Sequence, residues 1–273
     1  MARPVRLTRR VTFSSGHRYW RSDLTPEQNR ALFGEWASPF NHGHNFGLEV
    51  TTIGTVNPRD GMVINIKTID DILQREVVGV FDQRSINDEI SAFRDMSPTT
   101  ENLAAYLAEL LSKCLPKESQ LDELKLEETA TLSAKWRANQ VTLTRSYEFA
   151  AAHRLNSPEL TAEQNVEIFG KCNNAAGHGH NYVLEVEVSG PIDMKSGMMV
   201  DLGQLDSIVN EQVVDRYDHK NFNCDLPEFS DKNPTSEVVC LEIFERLAKS
   251  LPVKLVSIRL WETARNMFEV RAE

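Results

Sequence analysis

The sequence repeats itself at an offset of 136 residues, and this repeat limits what the chain can fold into. The offset links three histidines of the first half to three of the second: His17, His42 and His44 to His153, His178 and His180. It also links Asp82 to Asp218. A period this long indicates a duplicated domain, because solenoid repeats run at about 20–50 residues. The repeat therefore predicts two tandem domains, residues 1–139 and 140–273.

The two copies differ at their most reactive positions. Cys172 lies opposite Trp36, and His219 lies opposite Gln83. An indole does not accept a proton at neutral pH and an amide does not titrate there. The repeat therefore predicts one reactive half, the second, and one half that has lost the thiol and the imidazole.

The composition describes an ordinary globular protein and weighs against two classes of partner. The chain has 273 residues, of which 41% are hydrophobic and 26% charged, as in typical globular domains. A formal net charge of −10 disfavours nucleic acid and membrane surfaces, because both are polyanionic. No apolar run approaches the roughly 20 residues of a spanning helix. Four cysteines make no disulfide framework, so we expect a cytoplasmic protein.

Each half follows the same order of local patterns. Alternating apolar and polar residues at 184–188 predict a strand with one covered face, and apolar spacing over 202–213 predicts a helix. A second helix is expected after Pro98 and after Pro234, where threonines offer N-terminal caps. Runs of strands separated from runs of helices predict an α+β fold, with helices on one face of an antiparallel sheet.

Three segments lack a periodic pattern and are expected to be irregular. The polar segments at 24–29 and 160–165 are expected to be loops, and residues 130–140 are expected to form a linker.

The strongest chemical signal is His178-Gly179-His180, with His153 upstream. Residues i and i+2 of a strand project from one face, so the two imidazoles converge, and a His from a neighbouring strand would complete a three-nitrogen site. Three protein ligands and an open position are typical of catalytic zinc, although iron or another divalent metal also fits imidazole. The alternative is a set of ordinary core or surface histidines. However, six of the seven histidines belong to the two triplets.

Cys172, Asp218 and His219 are candidates for proton transfer. Cys172 stands six residues before His178, among Lys, Asn and Gly, and a nearby cation favours the thiolate, which acts as a base. An adjacent Asp and His can transfer protons near neutral pH. Taken alone, these residues also fit a small buried cysteine and a surface Asp-His pair. The other cysteines are expected to be buried apolar residues: Cys114, Cys224 and Cys240.

Glu262 stands at the end of a predicted strand, and Glu128 is its counterpart at an offset of 134. A carboxylate there can accept two hydrogen bonds from an amino-pyrimidinone edge. A solvated strand terminus is the alternative interpretation.

The second half resembles the 6-pyruvoyltetrahydropterin synthase family over nearly its whole length, and the first half resembles a divergent second copy. The resemblance rests on ordered motifs: 149–155 FAAAHRL, 169–174 FGKCNN, 177–182 GHGHNY, 197–202 GMMVDL, 218–221 DHKN and 234–237 PTSE. It implies two tandem tunnelling-fold (T-fold) domains. Each would be an antiparallel four-stranded sheet with two helices on one face, and subunits would assemble into barrels with active sites at their interfaces.

The resemblance also implies roles for individual residues. Zinc would be held by three histidines: His153, His178 and His180. Cys172 would be the general base, with Asp218 and His219 completing a proton relay. Glu262 would anchor the pterin ring, helped by three residues of the second helix's start: Thr235, Ser236 and Glu237. The implied reaction converts 7,8-dihydroneopterin triphosphate to 6-pyruvoyltetrahydropterin. It eliminates triphosphate and moves hydrogen between side chain and ring, so no redox cofactor is needed.

The first half departs from the family at Trp36 and Gln83, and Glu35 replaces Lys171. It keeps four potential ligands: His17, His42, His44 and Glu128. We expect a second possible site for metal, or for a pterin, without catalysis. The alternatives are a structural role, or a first half whose Asp82-Gln83 faces Cys172 of another copy and disables that site.

Two other functions compete with this one. The first is 6-carboxytetrahydropterin synthase of the queuosine pathway, although the six-residue interval from Cys172 to His178 favours the pyruvoyl branch. The second is a non-catalytic pterin-binding T-fold protein, which the retention of Cys172 and His219 disfavours. A homo-oligomer is expected, and three tandem chains would supply six copies, which favours a homotrimer.

Overall fold

A computed structural model describes residues 3–273 and separates them into two compact units. Unit 1 contains residues 3–144 together with Ser189–Gly203, and unit 2 contains Arg145–Val188 with Gln204–Glu273. Residues 189–203 belong to the second repeat by sequence, yet they pack in unit 1. Within residues 3–273, no helix combines the length and the apolar character that crossing a membrane requires.

Unit 1 is built on a sheet of four long strands and one short strand. The strands are β1 (Val5–His17), β2 (His42–Gly54), β3 (Arg84–Ser85), β4 (Ser119–Thr129) and β5 (Leu132–Arg137). Their order is β5-β4-β2-β1-β3, and β3 alone runs parallel to its neighbour. The β1–β2 register begins at Val5↔Gly54 and ends at His17↔His42. This register brings histidines from both strands to one end of the sheet.

The helices of unit 1 are α1 (Pro26–Phe33), α2 (Ile66–Leu73), α3 (Gly79–Phe81), α4 (Ile86–Glu89) and α5 (Thr100–Cys114). A π-helical turn at Gln74–Val78 joins α2 to α3. Leu103, Leu107 and Leu111 lie at helical spacing on α5 and are buried, so α5 packs its apolar stripe into the core. Thr99 caps α5 by accepting a hydrogen bond from the Asn102 amide, which confirms the predicted start of that helix.

Unit 2 repeats this plan. Its strands are β6 (Gln140–His153), β7 (His178–Ser189), β8 (Lys220–Asn221), β9 (Lys254–Thr263) and β10 (Asn266–Arg271). The long strands follow the order β10-β9-β7-β6, and β8 pairs with β6. Its helices are α6 (Ala162–Phe169), α7 (Leu202–Val209), α8 (Asp215–Tyr217) and α9 (Ser236–Ser250), with a π-helical turn at Asn210–Val214. The molecule is therefore α+β, as predicted.

The cores of the two units are built from equivalent pairs of aromatic residues. Phe13 stacks on Phe46 in unit 1, and Phe149 stacks on Tyr182 in unit 2. In both pairs the ring centroids are 5.1 Å apart and the interplanar angle is 16°. Phe46 and Tyr182 lie two residues beyond His44 and His180 along β2 and β7, so the packed core supports the strand ends that carry the histidines.

Three sequence-based expectations about local structure are wrong. The two polar segments expected to be loops include the starts of α1 and α6, which begin with capping boxes formed by Thr25 with Gln28 and by Thr161 with Gln164. The expected linker at 130–140 contains β5. Of the cysteines expected to be buried, Cys240 is buried, Cys114 is half-buried and Cys224 is exposed. Cys224 lies in a turn after β8, where no helix or sheet covers it.

Residues 195–201, the strap, lie against the start of α5. The Thr99 hydroxyl donates to the Gly197 carbonyl oxygen at 2.6 Å, and the Met199 amide donates to Glu101 Oε1 at 3.0 Å. Met198 packs with two buried aromatic residues, Tyr19 and Phe33, and Trp36 packs against this cluster. The strap therefore covers the end of unit 1 that carries its histidines.

Candidate metal centre and active site

The end of the sheet in each unit carries three converging histidines. In unit 2, His153 is the last residue of β6, and His178 and His180 open β7. The candidate ligand atoms of these residues lie within 4.8 Å of one another, and the equivalent set in unit 1 is just as close: His17, His42 and His44. Among the described residues, these are the two groups with metal-ligand spacing. The histidines that the 136-residue repeat relates in sequence therefore form two equivalent sites in the structure.

One ring nitrogen of each histidine in the unit 2 triplet is buried without a hydrogen-bond partner. They are His153 Nε2, His178 Nδ1 and His180 Nε2. In unit 1, His17 Nε2 and His44 Nε2 are in the same condition, whereas His42 is exposed. A buried nitrogen without a partner carries a large desolvation cost, and coordination of one shared cation would satisfy all three. The residues of unit 2 therefore fit a zinc ion, and those of unit 1 fit one with a more open third ligand.

Backbone carbonyl groups orient one histidine of each site. His153 Nδ1 hydrogen-bonds to the Pro234 carbonyl oxygen at 2.8 Å, and His17 Nδ1 makes the same 2.8 Å contact with Pro98. Donation from Nδ1 places the lone pair on Nε2, the tautomer that a metal ligand needs. Burial lowers the pKa of His153, and it lowers the pKa of His17 to about 4. Both rings are consequently neutral and ready to coordinate at physiological pH.

Glu262 lies beside the metal ligands of unit 2. Its Oε1 is 3.7 Å from His153 Nε2 and 3.8 Å from His180 Nε2. The Ser236 hydroxyl donates to Oε1 at 2.6 Å, and Asn266 Nδ2 donates to Oε2 at 3.3 Å. Burial raises the pKa of Glu262, but these hydrogen bonds and the nearby histidines outweigh it, so the net pKa is lowered. The carboxylate is therefore ionised and able to accept hydrogen bonds from a ligand.

Ser236, Thr235 and Glu237 occupy the start of α9. Thr235 is the N-cap of the helix, and Ser236 holds Glu262. Glu237 is exposed. Of these three predicted substrate-binding residues, Ser236 touches the candidate anchor directly, while Thr235 shapes the helix end.

Asp218 and His219 follow the π-helical turn of unit 2. Asp218 Oδ1 accepts from the Ala150 amide at 2.7 Å, and its Oδ2 lies 2.7 Å from His219 Nδ1. These hydrogen bonds lower the pKa of Asp218. His219 adopts a left-handed backbone with φ of 58°, and its side chain is 84% exposed. The ionised carboxylate therefore fixes the orientation of the ring through Nδ1.

His219 and His180 line one open cleft of about 560 Å³, together with Lys220, Asn221 and Asp225. The equivalent cleft of unit 1, about 350 Å³, carries Gln83 and Arg84 at the matching positions. Gln83 has nearly the same left-handed φ, 59°. Unit 1 has therefore kept the backbone of this turn and lost the imidazole.

Cys172 is the predicted base of unit 2. It belongs to the 3-10 turn Gly170–Asn173 after α6, and its carbonyl oxygen accepts from the Leu155 amide at 2.9 Å. Its side chain is half-buried, and within residues 3–273 it is not among those that line the cleft with His219.

In unit 1, the carboxyl groups of Glu128 and Glu101 lie near the start of α5. Glu128 Oε1 lies 3.4 Å from His44 Nε2, and Thr100 donates to the other oxygen of Glu128. Glu101 is buried and accepts from Met199. The sequence places Glu101 in the first turn of the predicted helix, where acidic side chains are favoured, but it does not predict the burial of this carboxyl group.

Replacement of Glu101 by Gln is expected to flatten part of the pH dependence of stability. Burial raises the pKa of Glu101 to about 7, above its unfolded value, so the folded state keeps a proton that the unfolded state loses. Stability from this group is present at low pH and is lost as pH rises through about 7, by up to about 3 kcal/mol. Urea unfolding in a chelator at pH 5 and pH 8 measures it. Equal pH dependence in both proteins would contradict the assignment.

Comparison with known proteins relates both halves to one family. Residues 6–139 and 142–273 each match the sequence model of 6-pyruvoyl tetrahydropterin synthase. The chain is 43% identical over 132 residues to 6-pyruvoyl tetrahydrobiopterin synthase of Poecilia reticulata, covering 48% of this chain and 90% of that protein. The solved structure of Caenorhabditis elegans 6-pyruvoyl tetrahydropterin synthase is 40% identical, with a TM-score of 0.47, and covers 48% of this chain and 95% of that one.

A more distant relative carries a different printed activity. A putative 6-carboxy-5,6,7,8-tetrahydropterin synthase of Archaeoglobus fulgidus is 39% identical over 103 residues, covering 37% of this chain and 82% of that protein. All three relatives correspond in length to about one half of the chain.

Proposed function

Because this chain belongs to the 6-pyruvoyl tetrahydropterin synthase family, whose model matches both of its halves, we propose that its second half is a zinc-dependent lyase. Its substrate is 7,8-dihydroneopterin triphosphate, and its products are 6-pyruvoyltetrahydropterin and triphosphate. The observation that carries the proposal is the set of three buried, unpartnered ring nitrogens of His153, His178 and His180. These occur in the half that also holds Cys172 and His219.

Zinc would be held by the three histidines, and when bound it would acidify the C–H bonds next to substrate hydroxyl groups. The chain's own groups move the protons. Cys172 acts as the base that removes a proton from the substrate side chain, and the electron pair left on carbon expels the triphosphate. His219, oriented by Asp218 at 2.7 Å, delivers and accepts protons during the later rearrangement. Hydrogen moves within the substrate, so no oxidant or reductant is consumed.

Glu262 orients the ring. Its pKa is lowered, so the ionised carboxylate accepts two N–H groups of an amino-pyrimidinone edge. Ser236 holds one of its oxygens at 2.6 Å, which limits the rotation of the carboxylate. Thr235 and Glu237 flank Ser236 at the start of α9. Lys220 shares the cleft with His219 and offers positive charge to an anionic leaving group.

The first half binds metal without catalysing this reaction. His17, His42 and His44 keep the geometry of the ligands, but Trp36 and Gln83 replace the base and the relay. We assign the first half a structural role in the assembly, in which the T-fold domains form a homo-oligomeric barrel. A cytoplasmic location agrees with the four free cysteines.

Incubation of the purified protein with 7,8-dihydroneopterin triphosphate tests the proposal, with the product identified by mass spectrometry. The expected product is 6-pyruvoyltetrahydropterin. A 6-carboxytetrahydropterin product would contradict the proposal and show that the chain is a 6-carboxytetrahydropterin synthase. Similarity to the putative 6-carboxy-5,6,7,8-tetrahydropterin synthase supports that second activity. Tight binding without turnover would leave a non-catalytic pterin-binding protein.

A further inference from the structure

Unit 2 contains a second cleft, of about 370 Å³, next to the cleft that His219 lines. Asn221 lines both of them. Arg154 and Gly177 also line the second cleft, and they are the chain neighbours of two metal-ligand candidates, His153 and His178. The second cleft therefore lies directly beside the candidate metal centre.

The counterpart of Arg154 in the first half is Arg18, 136 residues earlier. The two terminal nitrogens of Arg18 donate to the two oxygens of Asp88 at 2.7 Å and 2.6 Å. Asn41 Oδ1 accepts a further hydrogen bond from Arg18 at 2.7 Å. A bidentate pair of this kind satisfies the planar guanidinium and neutralises its charge. Unit 1 therefore offers little positive charge to a ligand at this position.

Both acceptors are replaced in unit 2. Cys224 stands 136 residues after Asp88, and Gly177 takes the place of the asparagine. Arg154 donates instead from Nε to the Asn173 carbonyl oxygen at 3.0 Å and from Nη2 to the Asn173 side-chain oxygen at 3.4 Å. Within residues 3–273 its Nη1 makes no hydrogen bond, and no carboxylate pairs with it. The neutral pair of unit 1 thus corresponds to an unneutralised cation in unit 2.

The rest of the cleft suits an anion with several oxygen atoms. Neutral amide and hydroxyl side chains line it: Asn156, Asn223 and Ser230. Lys232 adds an ammonium group, which lies 3.1 Å from the carboxylate of Glu242. Among the lining residues that the structure describes, Asp231 is the one with a carboxylate. The guanidinium of Arg154 is consequently the charge in this cleft that an incoming anion would neutralise.

We propose that this cleft binds an oligophosphate, with the Arg154 guanidinium as its main contact. Arginine suits this ligand because its planar N–H donors meet two phosphate oxygens at once. The identity of the ligand rests on the proposed function: it is the triphosphate of the substrate. When the C–O bond breaks, its electron pair stays on the triphosphate oxygen, and Arg154 stabilises the charge that develops there.

Calorimetric titration of the zinc-loaded, full-length protein with inorganic triphosphate tests the site. Ionic strength is held constant because salt screens charge contacts, and metal content is measured afterwards because phosphate oxygens also bind divalent metal ions. Wild type is expected to bind. Arg154→Gln is expected to bind about tenfold more weakly or worse, since it loses a charge-assisted contact. No binding by the wild type, or equal affinity in a folded Arg154→Gln variant, overturns the proposal.

Cys224→Asp keeps the test valid if Arg154→Gln fails to fold. It rebuilds in unit 2 the ion pair that Arg18 makes with Asp88 in unit 1, without removing Arg154. Triphosphate binding is expected to weaken by a similar factor, because the guanidinium is then neutralised within the chain. Cys224 lines the cleft without supplying charge, so Cys224→Asn is the uncharged control of the same shape and should bind like the wild type. Unchanged affinity in Cys224→Asp, or an equal loss in Cys224→Asn, would refute the site.

Turnover separates the fate of this site from that of the proposed function. Protein that binds triphosphate with these differences but does not convert 7,8-dihydroneopterin triphosphate keeps the anion site and loses the proposed function. Protein that converts the substrate without measurable affinity for triphosphate keeps the proposed function and loses the anion site. Orthophosphate is expected to bind about tenfold more weakly than triphosphate, because it offers fewer charged oxygens. Equal affinity for the two anions would contradict the assignment to triphosphate.

Discussion

Replacement of Cys172 by Ala is expected to lower kcat on 7,8-dihydroneopterin triphosphate by about 10²–10⁴-fold, the usual contribution of a positioned general base. The thiol is half-buried in the turn after α6, and Ala keeps the turn while removing the group that accepts the proton. Single-turnover and steady-state rates with product identification measure the loss. KM is expected to change little, because Glu262 and Ser236, which bind the ring, are untouched.

Cys224→Ala is the matched control, since Cys224 is also free but exposed. It should retain wild-type kcat. If Cys172→Ala retains it too, the proton is taken by another group, and His219 becomes the first alternative. A second useful comparison is His219→Gln, which copies the residue of the first half. It is expected to stop the reaction after the step that needs Cys172, so that an intermediate accumulates.

Replacement of His178 by Ala is expected to remove one of two bound zinc ions and to abolish turnover. Two nitrogens hold zinc far more weakly than three, and each half supplies its own three. Because a metal that binds only the folded state stabilises it, loss of occupancy at about 1,000-fold excess over Kd costs about 4 kcal/mol. Metal content per chain, thermal unfolding and activity are the three measurements.

His42→Ala separates the two sites, because it makes the same change in unit 1. It is expected to remove the zinc ion of unit 1 and to leave kcat within about twofold of wild type, because the proposed ligands and proton-transfer groups of unit 2 are unchanged. Wild-type protein with one zinc ion per chain would show that the first-half ligands are vestigial. Loss of turnover in His42→Ala would mean that the first half takes part in catalysis.

The sequence was sufficient for the parts of the fold that follow local periodicity. His178 and His180 converge because strand side chains alternate, and α5 and α9 begin at threonine caps that the sequence displays. The starts of α1 and α6 could also be predicted from the sequence, because Thr-x-x-Gln is the pattern of a capping box. Their polar composition instead favours loops, and that prediction is wrong.

Other features depend on tertiary contacts and could not be predicted. The π-helical turn before Asp218 has no residue signature of its own, because it arises from how a helix fits its surroundings. The Pro234 carbonyl that orients His153 is a backbone group, and any residue could supply it.

The strap has a further consequence for behaviour at low protein concentration. Residues 189–203 and the start of α5 share one chain, so their encounter is governed by the effective concentration of a tether, which is commonly in the millimolar range. The encounter of the strap with α5 is therefore insensitive to dilution of the protein. Trp36, which packs against the strap's cluster, adds apolar contact to this tethered segment.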